Sequence, residues 1–136
     1  MNLKRALWVG ALTYITSFII GMVPLLFIDI DITDASSLPQ SFFIVGIILS
    51  VILATLFTLL YFRDRKIKRN AKEGFYFGLV LIAIGFTFDL AIFTISGLAT
   101  GYETDIFSYY SNPLFWVATV LFVATTTTVG WIKGRK

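Results

Sequence analysis

Asp89 is an acid in the middle of a long apolar run, residues 74–98, and no Lys, Arg or His occurs in any comparable run of the chain to neutralise it. On the insertion scale such a residue costs about 2.5 to 3.5 kcal/mol. The Leu, Ile, Phe and Val residues around it return roughly 6 kcal/mol together, so the run still enters lipid. A carboxyl group placed there must be protonated, hydrated, hydrogen-bonded by hydroxyls or occupied by a cation. At about 1.5 Å per helical residue, Ser17, Ser50 and Thr119 reach similar depth on the other apolar runs, and Tyr14 lies a turn or two lower. These five residues suit a proton or cation site. They also suit a buried neutral acid that fixes helix register, or a contact with a partner subunit.

Other chemistry is hard to build from this chain. It contains no Cys and no His, which removes thiol chemistry, disulfides, ordinary zinc sites and the Ser-His-Asp or Cys-His pairs. It has no HExxH, no P-loop, no Gly-x-Ser-x-Gly and no paired inward carboxylates. Asp29, Asp31 and Asp34 hint at calcium, but Asp34 and Gln40 stand where an EF-hand needs Gly and Glu. The expectation is a non-enzymatic protein with no catalytic residue, no metal site and no cofactor.

The elements that would carry Asp89 follow from composition. The chain is 57% hydrophobic and 14% charged, against about 45 to 50% and about 25% in soluble domains. That is more apolar surface than a chain of 136 residues can bury in a globule. Four apolar runs, at 6–28, 42–62, 74–98 and 113–132, each match or exceed the roughly 20 residues that cross a hydrocarbon core. Continuous runs without period-two alternation exclude a barrel. The predicted fold is all-α, an antiparallel bundle of four transmembrane helices, with residues 1–136 forming a single integral membrane domain. Asn112 followed by Pro113 reads as the N-cap and first turn of the fourth helix. The first run is longer than a signal-peptide core and reads as a retained helix.

Charge orients the bundle. All 11 Lys and Arg fall in three places: Lys4 and Arg5, the loop from Arg63 to Lys72, and the tail Lys133, Arg135 and Lys136. The two other loops carry only acids, Asp29, Asp31, Asp34, Glu103 and Asp105. The positive-inside rule then puts both termini in the cytoplasm of a cell with an inner, cytoplasmic membrane. A pI near 9.3 reflects this polarity and points to no nucleic-acid partner. The partner it does suggest, besides the bilayer itself, is anionic lipid head groups at the basic inner loop.

Small residues mark the faces that pack. Gly10, Thr13, Tyr14, Ser17 and Gly21 share one face of the first helix. Gly46, Ser50, Ala54 and Thr58 recur every four residues on the second, and Gly74, Gly78, Gly85 and Asp89 align on the third. Such stripes let helix backbones approach closely in lipid and turn the large side chains outward, to lipid, to a second copy or to a larger membrane complex.

The run Lys72-Glu73-Gly74 with Gly78, Gly85 and Asp89, the segment Tyr110-Ser111-Asn112-Pro113-Leu114-Phe115-Trp116, and the opening Asn2-Leu3-Lys4-Arg5-Ala6-Leu7 with Gly10 together resemble an uncharacterised group of small four-helix prokaryotic integral membrane proteins. The resemblance implies the same topology and no particular activity. Where that group places a proline after the third-helix acid, this chain has Ile92, Phe93 and Thr94. The leading expectation is an assembly or accessory component acting through its small-residue helix faces. The competing one is a small oligomeric proton- or cation-coupled transporter or channel centred on Asp89.

Overall fold

The computed structural model describes residues 1–25, 40–100 and 110–135. Four helices account for most of them: α1 over Leu3–Leu25, α2 over Gln40–Tyr61, α3 over Ala71–Thr100 and α4 over Pro113–Gly134. Each is long and apolar enough to cross a membrane. In hydrocarbon no water is available to backbone amides, so a spanning segment must satisfy them within itself, which the helix does. The acidic residues Asp29, Asp31, Asp34, Glu103 and Asp105, together with Tyr102 and Tyr109, lie outside the described residues.

Asparagines start three of the helices. Asn2 Oδ1 accepts from the Arg5 amide at 3.2 Å, Asn70 Oδ1 from that of Glu73 at 2.7 Å, and Asn112 Oδ1 from that of Leu114 at 2.9 Å. Each supplies an acceptor to a first-turn N–H that the helix itself leaves unpaired. The first two caps sit upstream of the apolar runs. α1 and α3 therefore begin three residues earlier than hydropathy alone suggests, taking Lys4, Arg5, Lys72 and Glu73 into their first turns.

The seams of the bundle run α1 to α2, α2 to α4, α4 to α3 and α3 to α1. The consecutive helices α2 and α3 thus face each other across the bundle instead of sharing a principal seam. At the end carrying the basic loop, packing is tight. Ala6, Val9, Tyr61, Phe62, Ile67, Phe77 and Leu81 form the buried core. The Tyr61 ring stacks on Phe77 at 4.1 Å between centroids with 7° between planes.

Glycine permits the closest approaches here. A Cβ on Gly74 would collide with the Thr126 carbonyl oxygen, and one on Gly78 with the Thr126 hydroxyl. Gly130, which hydropathy and spacing did not single out, leaves room for the Asn70 carbonyl and the Gly74 backbone. Gly10 faces the side chains of Ile84 and Leu81. At the other three expected packing glycines, Gly21, Gly46 and Gly85, a Cβ would meet none of the described residues within 4 Å. The reason is positional, because Gly46 and Gly85 line a cavity between the helices.

This difference is measurable. Gly74→Ala places a methyl against backbone that has no rotamer to give, and is expected to cost about 1 to 3 kcal/mol. Gly46→Ala should leave stability unchanged or raise it by up to about 1 kcal/mol. Unfolding midpoints of the two purified variants in detergent check the contrast.

Candidate functional site

Beyond the packed end the helices part around a cavity of about 280 Å³ to which all four contribute. Its wall is mainly apolar and aromatic, with Phe43, Phe86, Phe115 and Phe122 prominent, and among the described residues its polar side chains are Thr13, Tyr14, Ser17, Ser50, Asp89 and Thr119. All five residues that the sequence nominates for a proton or cation site therefore border one space. They come from four helices, which is what similar depth along antiparallel or parallel segments permits once the faces turn inward.

Their roles within that space differ. The Tyr14 hydroxyl donates to Asp89 Oδ1 at 2.6 Å, and the Tyr110 hydroxyl donates to Oδ2 at 3.4 Å. Ser50 and Thr119 do not donate to the carboxyl group. Ser50 Oγ donates to the Ile47 carbonyl at 2.8 Å and Thr119 Oγ1 to the Phe115 carbonyl at 2.9 Å. A short hydroxyl on a helix finds the carbonyl one turn back before it reaches a neighbouring helix. Tyrosine, with its oxygen at the end of a rigid ring, crosses that gap. Ser17 borders the cavity without being a partner of Asp89 among the described contacts.

The two tyrosines are themselves positioned. Tyr14 lies on the same face of α1 as Gly10 and stacks on Phe88 at 4.9 Å between centroids. Tyr110 precedes the Asn112 cap of α4; its carbonyl accepts from Trp116 Nε1 at 2.8 Å, and its ring sits 5.3 Å from Phe86 and 5.1 Å from Phe115. Depth along the apolar runs does not pair Tyr110 with Asp89, because Tyr110 lies outside them. The available signal is its place two residues before the Asn112 cap of α4, which returns the chain to the level of the third-helix acid.

A second polar cluster, unforeseen from the sequence, closes the opposite end. Glu73 is buried at 8% exposure, and its Oε1 accepts from the fully buried Tyr61 hydroxyl at 2.6 Å. The amino group of Met1 lies 3.4 Å from Glu73 Oε2. Arg5 reaches from α1 to the end of α2, donating from Nη2 to the Leu60 carbonyl at 2.7 Å and from Nε to the Tyr61 carbonyl at 3.0 Å. It thereby caps carbonyls that the helix cannot satisfy and adds positive charge at the negative end of the helix dipole. Here cation and acid are charged groups in a lattice of contacts; around Asp89 the partners are neutral hydroxyls.

Comparison of the chain with protein-family models, curated proteins and solved structures returns no match.

Two outcomes follow. Tyr14→Phe and Asp89→Asn, alone and combined, should show a coupling energy of about 0.5 to 2 kcal/mol in a double-mutant cycle of unfolding, as interhelical hydrogen bonds in membranes do; additive effects would mean that the contact contributes nothing. Tyr61→Phe leaves the buried Glu73 carboxyl short of a donor and should cost about 1 to 3 kcal/mol, with a correspondingly lower unfolding midpoint.

Proposed function

We propose that the protein is a non-enzymatic multi-pass protein of a prokaryotic cytoplasmic membrane, with both termini inside and its helices alternating in direction, and that it works as a small proton- or cation-coupled transporter centred on Asp89. The observation that carries this reading is the cavity: an intramembrane space of about 280 Å³ shared by four helices, with a carboxyl group held on its wall by two tyrosine hydroxyls. A group that served only to fix register would gain nothing from an open space beside it, whereas a binding site needs one.

The alternative, an assembly or accessory component acting through small-residue faces, is less well supported. Gly10, Gly74 and Gly78 face neighbours of their own chain. Gly46 opens on the cavity, and Gly21 alone of the five has an open Cβ position away from it among the described residues, so that face is the one that would remain to a partner. The core of Ala6, Val9, Tyr61 and Phe77 stands between the cavity and the basic loop. A complete path across the bilayer then involves a second copy or a conformational change that opens this core. Anionic lipid at Arg63, Arg65, Lys66, Lys68, Arg69 and Lys72 belongs to the same proposal.

The test is flux of protons or monovalent cations into liposomes reconstituted with the wild-type chain or with Asp89→Asn. Flux in the first and none in the second is the expected result. Absence of flux from both, with each folded and inserted, removes transport and returns attention to a partner at Gly21. Orientation is checked separately, since the chain has no native Cys. In intact cells Ser111→Cys should react with a membrane-impermeant thiol reagent and Arg65→Cys should not.

A further inference from the structure

The composition of the cavity wall narrows what its occupant can be. An inorganic cation stripped of water needs a shell of oxygen ligands, about six or more for the common hard ions. Among the described residues no three acidic side chains come together. Most of the lining is hydrocarbon and aromatic ring, which offers such an ion nothing. A proton alone, at the other extreme, needs no volume, yet about 280 Å³ is kept open, close to the small end of the range of ligand pockets, about 300 to 1,000 Å³.

A cation that carries its own apolar body meets each of these features. Its charge needs one carboxylate and aromatic faces in place of a shell of oxygens. The Asp89 carboxylate has about four acceptor positions, of which Tyr14 and Tyr110 use two. Phe86 and Phe115, 6.0 Å apart between centroids, form an aromatic wall in the same cavity. The apolar body would gain contact with Ile82 and Leu114. We infer that the cavity binds a lipophilic organic cation, an amine or quaternary ammonium on a compact apolar frame, with its charge at Asp89 and its frame among Phe86, Phe115 and Phe43. This deepens the cation reading of the same site and rests on it.

The experiment measures equilibrium binding of benzyltrimethylammonium to the full chain in nanodiscs of phosphatidylglycerol, which contain no ammonium head groups. Neopentylbenzene, the same shape with carbon in place of the charged nitrogen, is the control. The wild-type chain is expected to prefer the cation by about tenfold or more, and Asp89→Asn to lose that preference. Gly85→Val, whose added side chain enters open space, retains the carboxylate and should weaken both ligands together; it keeps the test decisive if Asp89→Asn does not fold. Equal affinity for cation and isostere, a preference that survives Asp89→Asn, no saturable binding, or affinity untouched by Gly85→Val would each overturn the inference.

The proposed function fails differently. Proton or sodium flux without organic-cation binding overturns the inference and leaves the function standing, while binding without any flux supports the inference and removes transport. Repeating the titration with phosphatidylethanolamine in the nanodisc separates two sources of the same chemistry. Competition identifies a lipid head-group amine as the occupant, and its absence identifies a free solute.

Discussion

Helices immersed in lipid gain no hydrophobic free energy by leaving it for one another, so their association depends on close backbone contact and on polar groups that pair across the interface. In this protein that contact is made by α3 and α4, where Gly74, Gly78 and Gly130 bring the two backbones against each other around Thr126. Arg5, Tyr61 and Glu73 tie α1, α2 and α3 together at the same level. Farther along, the Tyr14 hydroxyl on Asp89 still joins α1 to α3, and around that contact the helices part to form the cavity.

That division assigns different physics to the two acids of α3. Glu73, at the start of the helix, lies near the amino group of Met1 and accepts the Tyr61 hydroxyl. Its burial is compensated by opposite charge and by the positive end of the helix dipole. Asp89, 16 residues further, has neutral tyrosine donors on both oxygens and a space beside it. The first acid joins helices; the second faces a volume that something else can enter. No buried side-chain nitrogen or oxygen among the described residues lacks a hydrogen-bond partner, so neither acid is left to bear a desolvation cost alone.

The hydroxyl-rich character of the helices also has a local explanation. Thr13, Thr55, Thr58, Thr87, Thr94 and Thr119 each donate to the carbonyl one turn back. A hydroxyl satisfied within its own helix can face lipid, cavity or neighbour at little cost. That is why Thr87 and Thr94 are tolerated on the exposed face, and why Ser50 and Thr119 border the cavity without engaging Asp89. Residues at matching depth border the space, while the side chains that touch Asp89 are Tyr14, a turn or two lower, and Tyr110.

Hydropathy and residue type were enough to reveal four helices, the Asn112 and Pro113 start of α4 and the isolation of Asp89, because insertion into lipid depends on runs of apolar residues and on single charges, both local properties of the chain. The glycine stripes showed which faces turn inward. Whether a given glycine meets a neighbour depends on how far apart the helices are at its height, and that distance is set by contacts between segments far apart in the chain. Spacing alone therefore treated Gly46 and Gly85 like Gly74, and passed over Gly130. In the same way the pairing of α2 with α4, the reach of Tyr14 and Tyr110 to Asp89, the burial of Glu73 and the cavity itself emerge only when the four helices are assembled, since each is a relation between surfaces and no single segment encodes it.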